Sequence, residues 1–80
     1  MDARVYELLN DQINKELYSA YLYLFFADYY EEEGLEGFAN WYEIQAQEER
    51  DHAMIFRNYL HENGQKVKLL AIDQPDKEFS

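Results

Sequence analysis

KELYSAYLYLFFADYY, residues 15–30, is the stretch whose reading decides the fold. It holds no Gly or Pro and is apolar or aromatic on nearly every side, yet Glu16 lies among the rings. Stepping 100° per residue gathers Val5, Leu9, Ile13, Leu17, Ala20, Leu24 and Ala27 on one stripe of a helix. Glu16 falls inside that stripe, with Gln12 and Tyr23 toward its edge. Tyr18, Tyr21, Leu22, Phe25 and Tyr29 occupy the opposite side. A helix with two apolar faces needs more than one neighbour.

Outward from this stretch, the helix signal runs without a breaker from Asp2, an N-capping residue type, to Glu33. Gly34 then offers the left-handed conformation that ends helices. A second unbroken segment runs from about Glu36 or Phe38 to Asn63, and Gly64 closes it in the same way. Each helix is on the order of 40 Å long, and so short a link makes the two antiparallel neighbours. The remainder, QKVKLLAIDQPDKEFS, shows no helical stripe and reads as an extended connector. The expected class is therefore all-α, with residues 1–64 forming an antiparallel two-helix hairpin and residues 65–80 a tail. Such a hairpin leaves the Glu16 side half covered. Another pair of helices must pack there.

On the second helix the inward stripe is expected to be Phe38, Trp41, Gln45, Phe56 and Tyr59, with Ile55 and Leu60 at its margins. Phe38 and Trp41 read as core anchors near the turn. Glu49 and His52 fall in the same stripe, and Glu48 flanks it. Glu16 lies 19 residues before Leu35, while Glu49 and His52 lie 14 and 17 after it. Folded back at ~1.5 Å per residue, the groups differ in height by roughly a turn or less. They can meet.

Glu49 and His52 form Glu-x-x-His, a spacing that puts carboxylate and imidazole on one helical face. Alone, the pair is weak evidence, because Glu is common on helices and a single inward His is often a hydrogen-bonded core residue. With Glu16 added, two carboxylates share one apolar region, and burying them ionised without a partner costs several kcal/mol. No Lys or Arg lies on either inward stripe nearby. A metal ion would offset the charge, and mixed oxygen and nitrogen donors suit iron, manganese or zinc.

Composition narrows the alternatives. The 80 residues carry a formal charge of −10, which disfavours nucleic acid and anionic membrane surfaces and favours cations. There are no cysteines, so disulfides and thiolate metal sites are excluded. No apolar run approaches ~18 residues and no signal-like segment opens the chain, so a cytoplasmic protein is expected. Eight Tyr, five Phe and Trp41 give more ring surface than one small core needs. Tyr18, Tyr21, Phe25 and Tyr29 either line a contact between bundles or lie under the tail.

At these residues the chain resembles the non-haem ferritins of bacteria and archaea. LNDQINKELYSAYLYL (9–24) is similar to their first helix, GLEGFANWYEIQAQEERDHAMIF (34–56) to their second, and KVKLLAIDQP (66–75) to the start of the crossover that follows. The resemblance implies a ferritin-like four-helix bundle that oxidises iron(II) and stores iron(III) in a hollow shell. Glu16, Glu49 and His52 match the ligands of the first iron. Tyr23 matches a tyrosine beside the site, with electron donation as its implied role. Glu48 corresponds to a position that helps bind an additional iron in some bacterial members.

Arg50 stands where haem-binding bacterioferritins carry their Met ligand, so no haem is expected. The chain stops at Ser80, where a third helix would begin, and the carboxylates of the family's third and fourth helices have no counterpart. Two completions are open: association with a second copy, or a missing C-terminal half supplied by another chain. The competing function is a non-catalytic helical fragment that serves in assembly and holds metal passively or not at all.

Overall fold

The computed structural model describes residues 1–76. Two antiparallel helices, α1 (Ala3–Glu32) and α2 (Glu36–Glu62), make up its regular structure. Among the described residues there is no strand, and no helix is long and apolar enough to cross a membrane. Residues 65–76 form neither helix nor strand, and the part of the expected tail at 77–80 lies outside the described residues.

Local chemistry sets the helix ends. Asp2 caps α1: its Oδ1 accepts from the Arg4 N–H at 2.7 Å and the Val5 N–H at 3.3 Å. At the other end the Leu35 N–H donates to Tyr30 O and the Gly34 N–H to Glu31 O. This double bond pattern requires a left-handed residue, and Gly34 supplies it with φ 75°. α2 ends identically, with Gln65 donating to Leu60 O, Gly64 to His61 O, and Gly64 at φ 72°.

The helices touch along small residues. Ala39, Ala46, Ala53 and Leu60 recur every seven positions and are the buried side chains of α2. Ile13, Ala53 and Leu60 centre the core, with Tyr6, Leu9, Leu17, Phe56 and Val67 packed around them. This corrects the expected stripe on α2. Phe38 and Trp41 are not core anchors but stand 60 % and 55 % exposed, and Ile55 and Tyr59 are also open. The stripe followed the largest apolar residues, whereas close helix approach selects the smallest. On α1, Ile13 and Ala27 are buried as expected, but Val5 and Leu24 remain exposed.

The connector folds back along α1. Asn10 donates to Lys68 O and accepts from the Lys68 N–H; Asn14 donates to the same carbonyl and accepts from the Leu70 N–H. The Tyr6 hydroxyl donates to Lys66 O. Two amides one turn apart thus serve the connector as a neighbouring strand would. Further on, Tyr18 shares a groove with Leu70, Ala71 and Ile72, and Tyr21 and Phe25 share another with Gln74 and the buried Pro75. The tail therefore covers part of the outer aromatic face. The described residues span 47 × 20 × 13 Å, and the exposed Phe38, Trp41, Ile55 and Tyr59 leave one side of α2 open.

Candidate metal centre

Glu16 sits midway along α1 on the side turned to α2, and α2 presents Glu49 and His52 one turn apart at the same height. One ligand atom from each lies within 4.8 Å of the others. His52 Nδ1 is 3.8 Å from Glu16 Oε2 and 4.0 Å from Glu49 Oε2. The Glu16 and Glu49 side chains are 15 % and 22 % exposed, against 55 % for His52, so the cluster opens on the imidazole side. An ion centred among atoms so spaced lies about 2.3–2.8 Å from each, so small side-chain shifts reach the ~2.0–2.2 Å of metal–oxygen and metal–nitrogen bonds.

Electrostatics make the arrangement costly without a cation. A hydrogen bond to Glu16, burial and the charge of Glu16 together raise the Glu49 pKa above the usual carboxylate value. Glu16 is lowered, chiefly by its hydrogen bond with Glu49, with Gln12 and His52 adding to the effect against burial. Each carboxyl thus responds to the charge on the other, and ionising both at once is disfavoured. Gln12 Nε2 donates to Glu16 Oε1 at 3.0 Å and fixes its orientation. Among the described residues no Lys or Arg is paired with either carboxylate; Arg50 instead meets Asp51 at the surface, 3.7 Å away.

The other named positions lie apart from the cluster. Glu48 is exposed and outside the group of three; its charge adds a small upward push on Glu49. Tyr23 lies two turns beyond Glu16, half-buried, its ring centroid 6.0 Å from that of Tyr42. Tyr42 also stacks on Tyr30 at 5.5 Å and meets Phe26 and Trp41 at 5.4 and 5.0 Å. Neither the ring cluster around Tyr42 nor the bond from Gln12 to Glu16 was expected from the sequence. The i, i+4 spacing of Gln12 and Glu16 was the signal for the latter.

The ferritin-like domain model matches residues 6–80. The chain belongs to the ferritin-like family. It is 40 % identical over 74 residues to the bacterial non-heme ferritin of Staphylococcus aureus, covering 92 % of this chain and 45 % of that protein. The Staphylococcus saprophyticus protein of the same name is 36 % identical over 80 residues, covering 100 % and 48 %. An open-pore ferritin from the hyperthermophilic archaeon Archaeoglobus fulgidus superposes with a TM-score of 0.93 at 47 % identity, over 99 % of this chain and 48 % of that one. A humanized archaeal ferritin gives a TM-score of 0.94 at 46 % identity and the same coverage. The ferritin-like chain thus spans about half the length of the relatives it matches, and its hairpin corresponds to half of their bundle.

Proposed function

We propose that this ferritin-like chain binds iron(II) as a substrate at Glu16, Glu49 and His52, and takes part in its oxidation and storage once further helices cover the open side. The observation that carries this reading is the convergence of the three donors without a compensating Lys or Arg. Two carboxylates and an imidazole accept iron(II), and anionic oxygen donors favour the more highly charged iron(III), so the site assists loss of the electron. A bound cation would favour both carboxyls in their ionised form. Tyr23, two turns beyond Glu16, is an oxidisable side chain suited to one-electron donation, and Glu48, exposed beside the cluster, suits an additional iron rather than the first. No residue present offers a haem ligand at the position of Arg50.

Anaerobic iron(II) titration followed by admission of dioxygen tests the reading, with iron(III) formation followed by ultraviolet absorbance. Glu16→Ala and Glu49→Ala are expected to abolish binding and oxidation while retaining helicity by circular dichroism. Wild-type rates in both variants would remove the assignment. Absence of iron binding by the wild-type assembly would favour a passive assembly module.

A further inference from the structure

Beyond the metal ligands, the same helix faces continue as a line of phenols. On α1, Tyr23 and Tyr30 follow Glu16 at intervals of seven residues; on α2, Tyr42 precedes Glu49 by the same interval. Seven residues are close to two helical turns, so each tyrosine stays near the face of its ligand. Because the helices are antiparallel, both lines run toward the turn at matched height, and the rings interleave. Tyr23 of α1 lies 6.0 Å from Tyr42 of α2, centroid to centroid, and Tyr42 stacks on Tyr30 of α1 at 5.5 Å with 4° between planes. Tyr30 meets Tyr29 edge-on at 5.2 Å, and Tyr29 shares a groove with Asp28 and Glu32 at the end of α1. Trp41 joins as a branch, 5.0 Å from Tyr42. All these separations fall in the range of direct ring contact, about 4.5–7 Å. Phenyl rings would fill the same space. Every member of the line is instead a phenol or an indole, the ring types that yield one electron under mild conditions. Phe26 and Phe38, which do not, flank it at 5.4 Å from Tyr42 and 5.3 Å from Tyr30.

We propose that Tyr23, Tyr42, Tyr30 and Tyr29 form a one-electron relay from the ligand end of this line to the turn end of the hairpin. Its use with iron rests on the function proposed above, in which Tyr23 gives up an electron. Tyr23 then stands as a neutral phenoxyl radical, its phenolic proton having passed to water. Tyr42 supplies one electron and releases its own proton while Tyr23 regains one, so phenol and phenoxyl exchange places. The same exchange follows with Tyr30 and then with Tyr29, where Asp28 and Glu32 share the groove and accept the last proton. A soluble one-electron reductant of the ascorbate class closes the balance: it loses one electron, Tyr29 regains an electron and a proton, and all four tyrosines are as they began. The relay thus draws an oxidising equivalent away from Glu16, Glu49 and His52 to the hairpin end, where a small reductant quenches it.

The relay is tested first without iron, in chelator, on the protein in its native assembly. Azide radicals made by pulse radiolysis oxidise indole in preference to phenol, and indolyl and phenoxyl radicals absorb at separate wavelengths. The Trp41 radical, isolated by subtracting the Trp41→Phe record, should convert to phenoxyl in a first-order step independent of protein concentration. Tyr42→Phe keeps the ring and should slow that step about tenfold or more. Tyr59→Phe, on the exposed side of α2 and outside the line, should leave it unchanged. With iron(II), dioxygen and ascorbate, electron paramagnetic resonance should then show a Tyr23 phenoxyl radical that persists about tenfold longer in Tyr42→Phe and Tyr30→Phe, at unaltered iron(II) affinity. No first-order conversion in the wild type, an equal rate in Tyr42→Phe, or equal radical lifetimes in the wild type and both variants would each overturn the relay. Conversion through Tyr42 without any Tyr23 radical after iron oxidation would uphold the relay and remove its use at the metal centre, so the two readings fail separately.

Discussion

His52 Nδ1 on α2 lies 3.8 Å from Glu16 Oε2 on α1, a gap too long for a hydrogen bond and wide enough to close around an ion. Because the imidazole is more than half exposed, it contributes little to the core. His52→Ala should leave the metal-free melting temperature within a few degrees of wild type while lowering divalent-metal affinity at least tenfold. Competition titration with cobalt(II), read by its visible bands, separates the two effects. A large loss of metal-free stability would instead mark His52 as a packing residue.

The carboxylate pair links stability to pH. Glu49 has a raised pKa in the fold, so the folded protein holds a proton there that the unfolded chain releases. Folding is therefore favoured below the unfolded pKa of Glu49, and that contribution is lost as pH rises through the folded value. Glu16, being lowered, works in the other direction: its contribution is present above its unfolded pKa and lost as pH falls through the folded one. Glu49→Gln keeps a donor facing Glu16 without a titrating proton. Its metal-free melting temperature near neutral pH should rise by a few degrees, with a shallower decline as pH increases through the folded value. Thermal melts in chelator across the acid range check both signs.

Gln12 tests whether orientation matters apart from charge. Its amide holds Glu16 Oε1 at 3.0 Å, and removing it frees the carboxylate to rotate. Gln12→Ala should weaken metal binding about tenfold, with Gln12→Asn unable to restore it because the shorter side chain cannot span one helical turn. Equal affinity in the wild type and the Ala variant would show that Glu16 is positioned by packing alone.

The helix ends and the meeting of Glu16 with Glu49 and His52 were legible in the sequence because they depend on local signals. Asp2, Gly34 and Gly64 punctuate the chain, and residue counting either side of the turn sets the register. The identity of the contacting face on α2 was not legible. Ala39, Ala46 and Ala53 offer little apolar surface to a hydropathy pattern, while Phe38, Trp41, Ile55 and Tyr59 dominate it from the open side. A small residue recurring every seven positions is a signal of spacing rather than of hydropathy. The connector's path was equally hidden, because Asn10 and Asn14 are polar residues whose partners are backbone groups more than fifty positions away.

Asn10 therefore carries the last prediction. It is buried at 6 % exposure and both sides of its amide are used, donating to Lys68 O at 3.1 Å and accepting from Lys68 N–H at 2.9 Å. Asn10→Ala leaves the Lys68 N–H without that acceptor, at a cost of about 1–3 kcal/mol. Asn10→Asp keeps the acceptor but sets a carboxylate oxygen against Lys68 O in a buried place, so near neutral pH it should lose at least as much. Asn14 retains its own bonds to Lys68 O and Leu70 N–H, so the connector should loosen first around Lys66–Lys68. Urea unfolding gives the total, and amide exchange along residues 66–70 gives its location. A uniform rise in exchange across both helices, with the connector unchanged relative to them, would show that the clasp serves the hairpin core and not the strap.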